Sequence, residues 1–174
     1  MPLWSARLVY ALISLGVIGL DQWTKSLILD RMPLYASIPL ISGFLHFTLV
    51  YNRGALFGIF HDLTDPLRST LFLVIPAVAI VMILTFQYLT TVADTLAQTG
   101  LALILGGALG NLTDRVRLGY VVDFVDVFIG RHHWPAFNVA DSAICIGVSV
   151  LVVDLLIRGR RTDPTPPIPL LPEA

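Results

Sequence analysis

Cysteine occurs once in this chain, charged side chains are scarce, and no basic cluster appears before the C-terminal tail. Each scarcity excludes something. Cys145 has no second thiol to pair with, so an internal disulfide and a thiolate metal cluster are both excluded, and its setting in an apolar run reads as a small core residue. Charged residues make up 13% of the 174, and the formal net charge is −1, which leaves no electrostatic footprint for nucleic acid. Gly106-Gly107-Ala108-Leu109-Gly110 lacks the following Lys-Ser or Lys-Thr of a phosphate loop. His132 and His133 are adjacent rather than four apart on a helix, so no metal site is expected.

What the chain has in abundance is apolar surface. It is 56% hydrophobic, with a mean hydropathy of +0.80, too apolar for an ordinary soluble domain. Windows over about 8–29, 67–86, 93–112 and 138–157 each approach the roughly 20 residues that cross a bilayer as a helix. The first window follows Arg7 as a secretory signal would. It runs into Asp21-Gln22-Trp23-Thr24-Lys25 without a small-residue cleavage site and reads as a retained helix. Pro76 can kink the second window without cancelling it. Small residues four apart in Gly106 to Gly110 point to close helix packing, and Trp4, Trp23 and Trp134 sit where indoles anchor at the interface. The expected architecture is one membrane domain over 1–161, followed by a disordered, proline-rich tail over 162–174. Between spans, the β-leaning stretch Phe44 to Tyr51 predicts a small extramembrane sheet within about 33–65.

An even number of spans puts both termini on one side and the loops after spans one and three on the other. All the unusual polar groups fall on that second face: Asp21, Thr24 and Lys25; Asn52 and Arg53; Asn111, Asp114 and Arg115; and Asp123, Asn138 and Asp141. The Gln87 to Val92 connection on the first face has no such cluster. A plain count of Lys and Arg sets Arg7, Arg158, Arg160 and Arg161 against Lys25, Arg31, Arg53, Arg68, Arg115, Arg117 and Arg131. That count alone would turn the polar face toward the cytoplasm.

A carboxylate at the centre of a membrane helix costs about 2.5–3.5 kcal/mol on insertion scales, so acids at a membrane boundary call for a reason. Asp123 and Asp141 flank what reads as a short polar loop. Two acids that converge cannot comfortably both ionise, and such a pair holds one proton and can act as base and acid together. Helical spacing groups Asn111 with Asp114 and Arg115, and Asn138 with Asp141. Duller readings stand beside this one: Asp114 with Arg115, or Asp21 with Lys25, as plain interfacial ion pairs. Ser142 lacks a neighbouring His or Lys to activate it. A proton-coupled transporter would need acids along a path through the membrane, and a noncatalytic scaffold would use the glycine face alone.

Taken together, five blocks resemble the bacterial lipoprotein signal peptidases, also called signal peptidase II. They are Asp21-Gln22-Trp23-Thr24-Lys25, Asn52 through Gly58, Gly106 through Arg115, Gly119 through Phe124, and Phe137 through Ser142, in the family's order over roughly 20–145. The resemblance implies an all-α integral membrane protein with four transmembrane helices and a small extramembrane β-cradle. It implies residence in the bacterial inner membrane, both termini cytoplasmic and the active site near the periplasmic face, against the plain charge count. It further implies an aspartic endopeptidase that cuts diacylglyceryl-modified prolipoproteins just before the lipidated cysteine, using no cofactor or metal and sensitive to globomycin. Asp123 and Asp141 would be the catalytic pair. Asn52, Asn111, Arg115 and Asn138 would line the site and orient substrate or inhibitor, while Asp21, Lys25 and Asp114 would support the structure. The partners implied are the prolipoprotein and membrane lipid, and no nucleic acid.

Overall fold

A computed structural model describes residues 3–54 and 65–159. Among the described residues, four helices and four strands follow in the order α1 (Leu3–Arg31), β1 (Ser37–Ile41), β2 (Leu45–Asn52), α2 (Asp65–Leu89), α3 (Thr95–Leu118), β3 (Val121–Ile129), β4 (His132–His133) and α4 (Val139–Gly159). All four helices are long and apolar enough to cross a membrane. The helices extend past the apolar windows, most clearly in α3, which continues through Asn111 to Leu118. Helical hydrogen bonds are local, so the polar residues stay helical once their side chains find partners. α2 is unbroken at Pro76. Part of the expected cradle range (55–64), the tail and the Trp4 side chain lie outside the described residues.

α3 is the most enclosed helix and packs against the other three. Its glycines make the close approach possible. A Cβ on Gly106 would sit 2.8 Å from the Ser14 carbonyl of α1, and one on Gly107 would strike the Ala140 carbonyl of α4. α4 and α3 also meet where Gly100 and Gly147 face each other, each leaving no room for a Cβ on the other. Cys145, expected in the core, is exposed instead. It lies on the outer side of α4 beside Ile146 and Val148, which are also exposed, because Ala140, Ile144 and Gly147 take the face toward α3. Trp23 and Trp134 are exposed as well.

The sheet corrects the expectation of a short loop between the two aspartates. The run Val121 to Ile129 alternates β-branched and aromatic residues with two acids, and it forms the longest strand. The order is β1-β2-β3-β4, antiparallel throughout. Half the sheet therefore comes from beyond 33–65. α3 stops at Gly119, whose φ of 79° lets its N–H turn back to the Arg115 carbonyl at 3.1 Å and aims the chain into β3. Ile28 in the last turn of α1 and Met32 just past it pack with Leu49, Val122 and Phe124 and fix the sheet over one end of the bundle. The β2–β3 register sets Val50 opposite Asp123 and Asn52 opposite Val121.

Candidate active site

The start of α4 shows how sequence places one acid. Asn138 precedes the first helical residue and Asp141 is three positions on, the spacing of a capping box. The Asp141 N–H donates to Asn138 Oδ1 at 2.9 Å, and the Asn138 N–H donates to Asp141 Oδ2 at 3.1 Å. A third amide, Ala140 N–H, donates to Asp21 Oδ1 of α1 at 3.0 Å. Three N–H groups of the helix end are thus satisfied by carboxylates and an amide, with the helix dipole favouring the negative charge. The remaining oxygen of Asp141, Oδ1, accepts from Asn111 Nδ2 at 2.7 Å.

Asp123 reaches the same place from β3. It is 2% exposed. Asn138 Nδ2 donates to its Oδ1 at 2.7 Å and Asn52 Nδ2 to its Oδ2 at 2.9 Å. Asn52 is itself held by the Gly54 N–H, which donates to its Oδ1 at 2.9 Å. Burial pushes the Asp123 carboxyl up to about 7. The Asn52 hydrogen bond opposes that shift, the charge of Asp141 adds to it, and Asn138 and Lys25 pull it back. Near neutral pH this acid is therefore divided between its two protonation states.

Behind the pair lies a buried charge cluster. Lys25 Nζ sits 2.8 Å from Asp21 Oδ2 and 2.8 Å from Asp114 Oδ2, and it donates to Asn111 Oδ1 at 2.9 Å. Asp21, Lys25 and Asp114 are all at most 3% exposed. Asp114 also accepts the Val122 N–H at 3.1 Å, tying α3 to β3. Among the described residues, Asp114 pairs with Lys25 and not with Arg115. The Arg115 guanidinium lies 5.8 Å over the Phe72 ring, with Nη1 3.5 Å from the Asn111 carbonyl.

Sequence reasoning singled out Asp123, Asp141, Asn52, Asn111, Arg115, Asn138, Asp21, Lys25 and Asp114, and all of them gather at this end. Arg115 stands at the margin. Asn52, Asn111 and Asn138, expected to line the site, donate to the two aspartates. Gln22 joins them. Its Nε2 donates to Asp114 Oδ1 at 2.9 Å and to the Gly110 carbonyl and Asp21 Oδ2 at 3.2 Å each. Nothing in the α1 sequence marks Gln22 for this, since its partners on α3 are about ninety residues away. Chemically, the arrangement offers one buried and one partly exposed carboxylate, each held by amide donors. Such a pair can pass a proton in either direction.

A family model described as signal peptidase (SPase) II matches residues 13–157. The lipoprotein signal peptidase of Geobacter sulfurreducens (strain ATCC 51573 / DSM 12127 / PCA) is 48% identical over 157 residues, covering 90% of this chain and 96% of that protein. The lipoprotein signal peptidase of Syntrophus aciditrophicus (strain SB) is 45% identical over 155 residues, covering 88% and 96%. Among solved structures, one described as a bacterial membrane enzyme superposes with a TM-score of 0.78 at 33% identity, covering 91% of this chain and 93% of the other. A second, described in the same way, gives 0.75 at 35%, covering 85% and 92%.

Proposed function

This chain belongs to the signal peptidase II family, and from that premise we propose that it removes signal peptides from prolipoproteins by aspartate catalysis. The observation that supports this most is the unequal pair: Asp123 buried, with its carboxyl raised to about 7, and Asp141 partly exposed on a helix cap. Water bound between them loses a proton to the ionised carboxylate as its oxygen attacks the scissile carbonyl. The protonated partner gives its proton to the leaving amine as the C–N bond breaks. One proton is taken up and one released, so the pair ends each turnover in its starting charge state.

The substrate is a prolipoprotein with a diacylglyceryl-modified cysteine, and the bond cut is the one before that cysteine. The site end of the bundle supports this choice. Acyl chains can stay in lipid while the scissile bond sits at the boundary, where water and both acids reach it. In this reading the protein lies in the bacterial inner membrane, with both termini cytoplasmic and the site toward the outer face. Globomycin, a cyclic peptide, competes for the same site.

The test uses purified, detergent-solubilised protein and a diacylglyceryl-modified prolipoprotein, with loss of the signal peptide followed by gel shift. The parent is expected to cleave, and Asp123→Asn and Asp141→Asn to lose cleavage while remaining folded. Full activity in either variant would sink the aspartate mechanism.

A further inference from the structure

We propose that Lys25 is a positioning residue for the aspartate pair, setting through Asn111 and through two backbone amides where both carboxylates stand; this rests on the aspartate reading above. An ammonium has three donors and no acceptor. Lys25 Nζ spends them on Asp21 Oδ2, Asp114 Oδ2 and Asn111 Oδ1, at 2.8, 2.8 and 2.9 Å. Bridging the two buried acids uses only the first two.

The third donor decides which way the Asn111 amide faces. Its oxygen accepts from Lys25 and, at 3.1 Å, from Asn138 Nδ2. Its nitrogen must then point to Asp141 Oδ1. A flipped amide would bring N–H donors against the ammonium and the Asn138 amide, and would leave Asp141 Oδ1 facing an oxygen. The same Asn138 Nδ2 also donates to Asp123 Oδ1. One lysine thereby orders one side-chain donor of each acid, while Asn52 holds the other oxygen of Asp123 on its own.

The two acids that flank Lys25 repeat the pattern on the main chain. Asp21 accepts the N–H of Ala140, the residue before Asp141, and Asp114 accepts the N–H of Val122, the residue before Asp123. Lys25, 2% exposed, sits between the two grips. The carboxyl groups around it are Asp21 from α1, Asp114 from α3, Asp123 from β3 and Asp141 from α4. Its positive charge also favours the ionised form of Asp123.

The experiment measures kcat, KM and the pH profile of the full chain and of Lys25→Met, Lys25→Arg, Asn111→Ala and the double variant Lys25→Met/Asn111→Ala. It also records the side-chain amide 15N signals of Asn111 and Asn138. Lys25→Met is expected to lower kcat about 100-fold, the scale of a small misplacement of reacting groups, with KM unchanged and the pH profile of kcat moved upward. Lys25→Arg keeps the charge but not the geometry. It is expected to retain the parent's pH profile, lose part of kcat and shift both amide signals. The double variant is expected to be no slower than the slower single variant, since both changes cut one relay. A parent-like kcat and pH profile per folded molecule in Lys25→Met, with only a lower melting temperature, would overturn the proposal, as would additive losses in the double variant. If Lys25→Met does not fold, Lys25→Arg decides: unmoved amide signals reject the relay. A parent that cleaves nothing counts against the peptidase reading instead, and the amide signals still judge Lys25.

Discussion

The two ends of the helical bundle solve the same problem with different chemistry. At the end opposite the sheet, the buried groups are neutral. Gln98 Nε2 donates to the carbonyls of Gln87 and Thr90 at 3.0 and 2.9 Å, closing the C-terminus of α2. The Tyr10 hydroxyl donates to the Val92 carbonyl at 3.2 Å, and Ser14 Oγ to the Ala102 carbonyl at 2.9 Å. Charge there stays near the surface, where Arg158 pairs with Asp94 and Asp154. At the sheet end, Asp21, Lys25, Asp114 and Asp123 are all buried. The contrast shows that closing this bundle does not require buried charge. A buried ion pair is weak evidence for stability because desolvation offsets much of the attraction. The cluster therefore calls for a reason other than holding helices together, and the orientation of two carboxylates supplies one.

Removing one partner from each end is the strongest way to break that contrast. Asp114→Ala leaves Lys25 with one buried counter-charge and the Val122 N–H without an acceptor. The stranded Val122 N–H and the lost charge-assisted bonds should cost about 3 kcal/mol, read as a lower denaturant or thermal midpoint in detergent. A loss no larger than that of an exposed pair would mean the cluster is solvated.

Next comes the pH dependence that only the sheet end should show. Burial holds the folded-state pKa of Asp123 at about 7, above the 3.8 of a free aspartate, so the folded state binds more protons than the unfolded state between those values. Stability then falls as pH rises from about 4 to 7 and levels off above. The expected size is a few kcal/mol, and Asp123→Asn should flatten the slope. A flat parent profile across pH 5 to 8 would contradict the burial argument.

At the opposite end, Gln98→Ala strands carbonyls at the end of α2 and should cost about 1–3 kcal/mol, with cleavage per folded molecule unchanged. A loss of activity larger than the loss of folded protein would show that the two ends are coupled. The smallest effect belongs to Arg158→Ala, whose surface pairs with Asp94 and Asp154 should contribute nothing measurable to the midpoint.

Much of this was readable along the chain, and the limits have physical causes. Hydropathy marks a bilayer helix because every lipid-facing position must be apolar, so the spans showed themselves. The glycine run announced close packing, although not that Gly106 faces α1 while Gly107 faces α4. β3 was hidden because Asp123 and Asp126 break its apolar pattern, and its backbone is satisfied by pairing with segments distant in the chain or beyond the turn, β2 and β4. Cys145 was misplaced because an apolar residue in a membrane helix can face lipid as readily as core.

The amino-acid order alone was enough to separate the apolar spans from the polar blocks and, by parity, to put every polar block at one end. The capping box of Asn138 and Asp141 is equally local, being written in residues three apart. Which acid receives which donor was settled only when the helices docked. Lys25 meets Asn111 across 86 positions, and Asp21 meets the Ala140 N–H across 119. No periodicity encodes such distances. They exist because glycine lets α3 lie close against α1 and α4, bringing the buried polar groups of three helices and one strand within hydrogen-bonding reach.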